Sequence, residues 1–111
     1  MYEENEKLLR EYQEGNKAIA SIIVENNLGL INFVLNGFKW AFSENPNFEN
    51  VFDRDDLFQE GVFGLYASLD TYDPEKGAFS SYAIYHIRQA IYRFYYDKGR
   101  VIRSNYLASQ A

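Results

Sequence analysis

The chain has 111 residues, 47% of them apolar and none of them cysteine. That is enough for one buried core; it argues against disorder and against several domains, and it excludes disulfide staples and thiolate chemistry. The net charge of −5 conceals a split: residues 1–75 hold five Lys/Arg against fifteen Asp/Glu, whereas residues 76–103 hold six cations against Asp97 alone. The longest apolar stretch, Gly29 to Phe42, is broken by Asn32, Asn36 and Lys39 and is too short for a bilayer. The first six residues are acidic where a signal peptide is basic. No membrane or export route is expected, and the absence of cysteine fits a reducing cytoplasm.

Leu8, Leu9 and Tyr12 recur at helical spacing before Gly15-Asn16, which predicts a short helix over residues 3–14. A second helical stretch opens near Lys17 with Ile19, Ile22 and Ile23, bends around Asn26-Asn27, and resumes with Leu28, Ile31, Val34, Leu35 and Phe38. The N-terminal helices thus occupy residues 3–42. Pro46 and its Asn neighbours make residues 43–52 a loop within one domain.

Asp53 is placed to cap the next helix, with Asp55 and Asp56 in its first turn beside the positive end of the helix dipole. That helix runs to about Leu69, within a unit of residues 53–71. Residues 72–78, with Pro74 and Gly77, form a turn. Ser80 is the expected N-cap of a long final helix, with Phe79 and Ile84 as a hydrophobic staple, and Gly99 is its expected left-handed C-cap. No β-type alternation of useful length occurs. The expected fold is all-α, a compact bundle of four to five helices ending in a long C-terminal recognition helix.

At about 100° per residue, Ala83, Ile84, Ile87, Ala90, Ile91 and Phe94 share one side of that helix and form its core face. Tyr82, Tyr85, His86, Gln89, Tyr92, Arg93 and Tyr96 share the opposite side. Rings interleaved with cations fit a single-stranded nucleic-acid platform, in which cations hold phosphates and rings stack on bases. Tyrosine is equally common at protein interfaces, so an apolar partner surface or self-association stands beside that reading. One histidine and no credible nucleophile, base pair or metal cluster argue against an enzyme; Asp53, Asp55 and Asp56 lack a second ligand group.

The stretches Asp56-Leu57-Phe58-Gln59-Glu60-Gly61, Gly64-Leu65, Tyr72-Asp73-Pro74-Glu75-Lys76-Gly77, Phe79-Ser80-Ser81-Tyr82-Ala83, Ile87-Arg88-Gln89-Ala90-Ile91 and Arg100-Val101-Ile102-Arg103 closely resemble region 2 of bacterial sigma-70-type factors. Order and spacing agree over roughly residues 17–103. The resemblance implies a helical domain that docks on core RNA polymerase and opens the promoter −10 element, without a cofactor. Its polymerase-binding segment falls on Asp56, Gln59, Glu60, Phe63 and Tyr66, which would meet the clamp coiled coil of the largest core subunit.

Its DNA-binding positions fall on Phe79, Ser81, Tyr82, Tyr85, His86, Arg88, Gln89, Tyr92 and Arg93, with Lys98, Arg100 and Arg103 as further phosphate contacts. In the resemblance Tyr82 stacks under the flipped adenine of the non-template strand, Tyr85 and His86 form the wedge at the upstream edge of the bubble, and Gln89 with Tyr92 faces the adjoining pair. Two departures stand out: the wedge is usually two tryptophans, and the turn before Phe79 is one residue short, leaving Ala78 where an aromatic is often found. Both point to an alternative factor with a narrower promoter set. An anti-sigma factor is an open further partner. A small adaptor or decoy that docks on polymerase without melting DNA is the alternative. The match ends near Arg103, so the −35-reading domain of such factors is expected on a longer chain or on a second polypeptide.

Overall fold

The computed structural model describes residues 2–38 and 53–110, with side chains over 5–38 and 53–97. The elements are α1 (Tyr2–Gln13), a 3-10 turn at Lys17–Ile19, α2 (Ala20–Asn26), α3 (Leu28–Asn36), α4 (Arg54–Thr71), a 3-10 turn at Pro74–Lys76 and α5 (Phe79–Gln110). Among the described residues there is no strand, and the all-α expectation holds. The expected loop at 43–52 lies outside the described residues.

Leu9 and Tyr12 bury the inner face of α1, and the helix stops where Gly15 turns to a φ of 122°, a region closed to most side chains. The expected bend between the next two helices centres on Asn27, where α2 and α3 meet at 46°. Its side chain is buried and donates to the Ile23 carbonyl at 2.7 Å, while its amide pairs with that of Asn5. A buried amide satisfied in this way takes the place of helical continuity. Among the described residues no single helix is long and apolar enough to cross a membrane.

Asp53 caps α4 as expected: its carboxylate accepts from the Asp56 amide at 2.9 Å, and the Asp56 carboxylate accepts from the Asp53 amide at 3.1 Å. Helix α4 then packs antiparallel on α5 in the most extensive contact of the fold. Leu57, Leu65 and Leu69 of α4 share one buried core with Ile87 and Ile91 of α5, and Ile23, Ile31 and Leu35 of α2 and α3 complete it. Ala83, Ile87 and Ile91 are buried, with Ile84 and Phe94 packed at the margin, which is the expected core face of α5.

Two expected helix ends are corrected. Helix α5 begins at Phe79, and the Tyr82 amide bonds the Ala78 carbonyl at 3.4 Å, so Ser80 is an exposed first-turn residue and not the cap. The reason is burial: Phe79 is 6% exposed and packs edge-on against Tyr72, which draws its residue into the helix. At the other end α5 continues through Gly99 to Gln110. A glycine inside a helix costs only about 1 kcal/mol relative to alanine, and the residues beyond it include no proline.

Candidate nucleic-acid interface

The turn between α4 and α5 sets the site. Asp73 accepts from the Glu75 amide at 2.9 Å, Pro74 starts the 3-10 turn, and Gly77 leaves it at φ 141° and ψ −172°, a conformation that favours glycine. The Tyr72 hydroxyl donates to the Gly77 carbonyl at 2.8 Å and so closes the turn. Burial first, and then the nearby carboxylates of Glu6 and Asp73, push the Tyr72 pKa up and keep the phenol a neutral donor.

From Tyr72 a row of rings leads up α5. Tyr72 lies 5.2 Å from Phe79 and 5.7 Å from Tyr82, Tyr82 lies 4.6 Å from His86, and His86 lies 5.6 Å from Tyr85. Helical spacing of three and four residues brings Tyr82, Tyr85 and His86 together, and the Gly77 turn delivers Tyr72 beneath them. The hydroxyls of Tyr82 and Thr71 share a hydrogen bond between the two helices. Beside Tyr82 an open cavity of about 550 Å³ is bordered by Thr71, Asp73, Lys76, Ala78 and Ser81.

A second row follows one turn further on. Phe38 of the α3 end meets Tyr92 edge-on at 4.9 Å, Tyr92 stacks on Tyr96 at 5.3 Å and 14°, and Tyr96 meets Tyr95 at 5.2 Å. Gln89 and Arg93 are exposed between the rows, as is Arg88 beside Phe33 and Tyr92. Lys98, Arg100 and Arg103 continue on the same helix, where only the backbone is described.

Not every residue that the sequence nominated reaches this surface. Phe79 is in the core, where its ring supports Tyr72 and offers no face to a base. Tyr82 and His86 are half-buried, and Tyr82 is held by Thr71, Tyr72 and His86. Tyr85, Tyr92 and Tyr96 are exposed. Sequence reasoning missed Thr71 and Tyr72 as parts of the site; the available signal was their position just before a Pro-Gly turn, opposite the first turn of α5.

On α4 the expected stripe faces outward: Asp56, Gln59, Phe63 and Tyr66 are exposed and Glu60 is half-buried. The opposite side of the helix, with Gly61 and Gly64, presses on Ile31, Ile87 and the α5 backbone. Arg54 donates to the Asn32 side chain and ties the start of α4 to α3. The stripe combines carboxylates, an amide and two rings, which suits a basic, partly apolar partner. The α5 face combines π surfaces with cations, which suits unpaired bases and phosphates. Among the described residues no group of His, Asp or Glu is placed to hold a metal ion.

A family model described as Sigma-70 region 2 matches residues 40–101. The chain is 35% identical over 99 residues to RNA polymerase sigma factor SigA2 of Synechococcus elongatus, covering 88% of this chain and 28% of that protein. It is 31% identical over 99 residues to the RNA polymerase sigma-F factor of Bacillus subtilis, covering 88% and 35%. RNA polymerase sigma factor SigA of Lactococcus lactis shares 51% identity over 49 residues, covering 43% of this chain and 14% of that protein. The chain therefore spans about a third or less of the length of these curated relatives.

Proposed function

The chain belongs to the sigma-70 region 2 family, and from that membership we propose that it docks on core RNA polymerase in the cytoplasm and opens the promoter −10 element to start transcription. The observation that carries the proposal is the pairing of two outward faces on one helix pair. The α4 stripe of Asp56, Gln59, Glu60, Phe63 and Tyr66 is the docking surface, and the aromatic, cationic face of α5 is the melting surface.

The chain makes and breaks no covalent bond in this scheme. Flipping a base costs a few kcal/mol, which stacking of about 1–3 kcal/mol per base and binding of the displaced strand offset. Tyr82 supplies the stacking ring for the flipped base of the non-template strand. Tyr85 and His86 wedge the upstream edge, and Gln89 with Tyr92 faces the next pair. Arg88 and Arg93 hold phosphates, as do Lys98, Arg100 and Arg103. The Tyr85-His86 pair has less stacking surface than a pair of large indoles, so promoters that are easy to melt are favoured. The acidic segment before residue 76 repels DNA from the free protein and makes recognition depend on the polymerase.

The test is co-purification with core polymerase, followed by binding of the complex to a single-stranded −10 oligonucleotide that carries a fluorescent label at one end. The complex is expected to form and to raise the anisotropy of the labelled strand, and Tyr82→Ala is expected to weaken oligonucleotide binding by about 1–3 kcal/mol without loss of core binding. A chain that docks but does not bind the strand is an adaptor or decoy; one that does not dock overturns the proposal.

A further inference from the structure

We propose that Thr71 is a positioning residue for the Tyr82 ring, which rests on the reading of Tyr82 as the base-stacking residue. The hydroxyl of a tyrosine lies on the axis about which its ring spins. A hydrogen bond there fixes where the ring points and leaves its spin free. The Thr71 hydroxyl supplies that bond from the last residue of α4. The spin is limited by the two neighbouring rings, Tyr72 at 5.7 Å and His86 at 4.6 Å. Together the three contacts hold a half-buried ring at the edge of the 550 Å³ cavity in one orientation.

Thr71 is itself fixed. The Tyr72 amide bonds the Ser68 carbonyl at 3.1 Å, and the Gln13 side chain of α1 donates to the Tyr72 carbonyl at 2.6 Å. On the other side Asp70 accepts from the Tyr12 hydroxyl at 2.5 Å. Ser and Thr hydroxyls in helices commonly bond back to the preceding turn, as Ser68 does to the Leu65 carbonyl at 2.6 Å. Thr71 instead reaches across to α5. A ring held in its stacking orientation before the base arrives spends less of the stacking energy on ordering the side chain.

The experiment measures the affinity of the polymerase complex for a single-stranded −10 oligonucleotide, with melting temperature and core binding recorded for each variant. Thr71→Val, which keeps shape and removes the hydroxyl, is expected to weaken oligonucleotide binding about two- to tenfold with melting temperature and core binding unchanged. Thr71→Ser is expected to restore it. Tyr82→Phe is expected to give the same loss as Thr71→Val, and the double variant no further loss, because both remove one bond. Losses that add in the double variant, or no loss in either single variant while Tyr82→Ala is severely impaired, would overturn the positioning role. If Tyr82→Ala also binds normally, the stacking role of Tyr82 fails, and the positioning role with it.

Discussion

Gly64 and His86 meet backbone against backbone: a Cβ on Gly64 would lie 2.7 Å from the His86 carbonyl oxygen, 2.9 Å from the Ala90 Cβ and 3.1 Å from the Ile87 Cα. The carbonyl that Gly64 admits belongs to the residue whose ring packs on Tyr82. The helix proposed to dock on polymerase and the helix proposed to melt DNA are therefore set at one spacing, with no side chain between them to act as a cushion.

Gly64→Ala is expected to be more disruptive than Gly61→Ala. At Gly61 the nearest atom to a new Cβ is the Ile31 Cγ2 at 2.7 Å, a buried methyl that must shift within the core, whereas at Gly64 it is backbone, and the Ile87 Cα lies close as well. Overpacking of this kind costs about 1–3 kcal/mol, and Gly64→Ala should sit at or above the upper end because α5 itself must shift. Denaturant unfolding of both variants measures the order; equal losses would mean that the helix pair yields as easily at one glycine as at the other.

The docking stripe is tested without touching the capping pair of Asp53 and Asp56. Glu60→Lys combined with Phe63→Ala should abolish co-purification with core polymerase while helical circular dichroism stays as in the parent, since Phe63 is 55% exposed and contributes little to the core. Undiminished capture by polymerase would move the docking surface elsewhere.

Arg88 and Arg93 are exposed on α5 and are expected to neutralise phosphates of the opened strand. Each phosphate neutralised on a single strand contributes about 0.7 to the slope of log affinity against log salt. Replacing both with alanine should flatten the slope for the polymerase complex by about 1.4. A slope that does not change assigns those contacts to other residues.

Tyr12 gives a pH signature. Its hydroxyl donates to the Asp70 carboxylate at 2.5 Å, and Lys17 Nζ lies 3.9 Å over its ring and 4.0 Å from Asp70. The hydrogen bond to Asp70, then burial, then the Asp70 charge push the Tyr12 pKa up. The folded state thus holds the phenol proton more tightly than the unfolded chain, whose value is about 10. This stability is whole below about pH 10 and is lost as pH rises through the folded value. Tyr12→Phe should cost about 0.5–1.5 kcal/mol at neutral pH, and the deficit should shrink in alkali. A deficit that is flat from neutral to alkaline pH would show that the hydrogen bond contributes nothing.

Much of the helix order was legible because it is written in local terms. Leu57, Leu65 and Leu69 on one helix and Ala83, Ile87 and Ile91 on the next follow helical spacing, and Asp53 with Asp56 reads as a cap. The ends of α5 were misread because burial of Phe79 against Tyr72 outweighed the capping preference of Ser80, and because nothing after Gly99 compels the helix to stop. The contact between Thr71 and Tyr82 was not legible. Neither residue has a pattern that names the other, and only the turn at Gly77 brings them together.

The buried amide of Asn27 has a consequence for how far the chain reaches. Continued without a break, the twenty residues from Lys17 to Asn36 would make a rod of about 30 Å, but the segments Lys17–Asn26 and Leu28–Asn36 meet at 46°. By donating to the Ile23 carbonyl and pairing with Asn5, one asparagine shortens that rod into a bracket, so that Ile23 on one arm and Ile31 and Leu35 on the other fill a single core. Asn27→Leu should leave Asn5 without its partner and lower the unfolding midpoint in denaturant, and an unchanged midpoint would mean that the bracket holds without its amide.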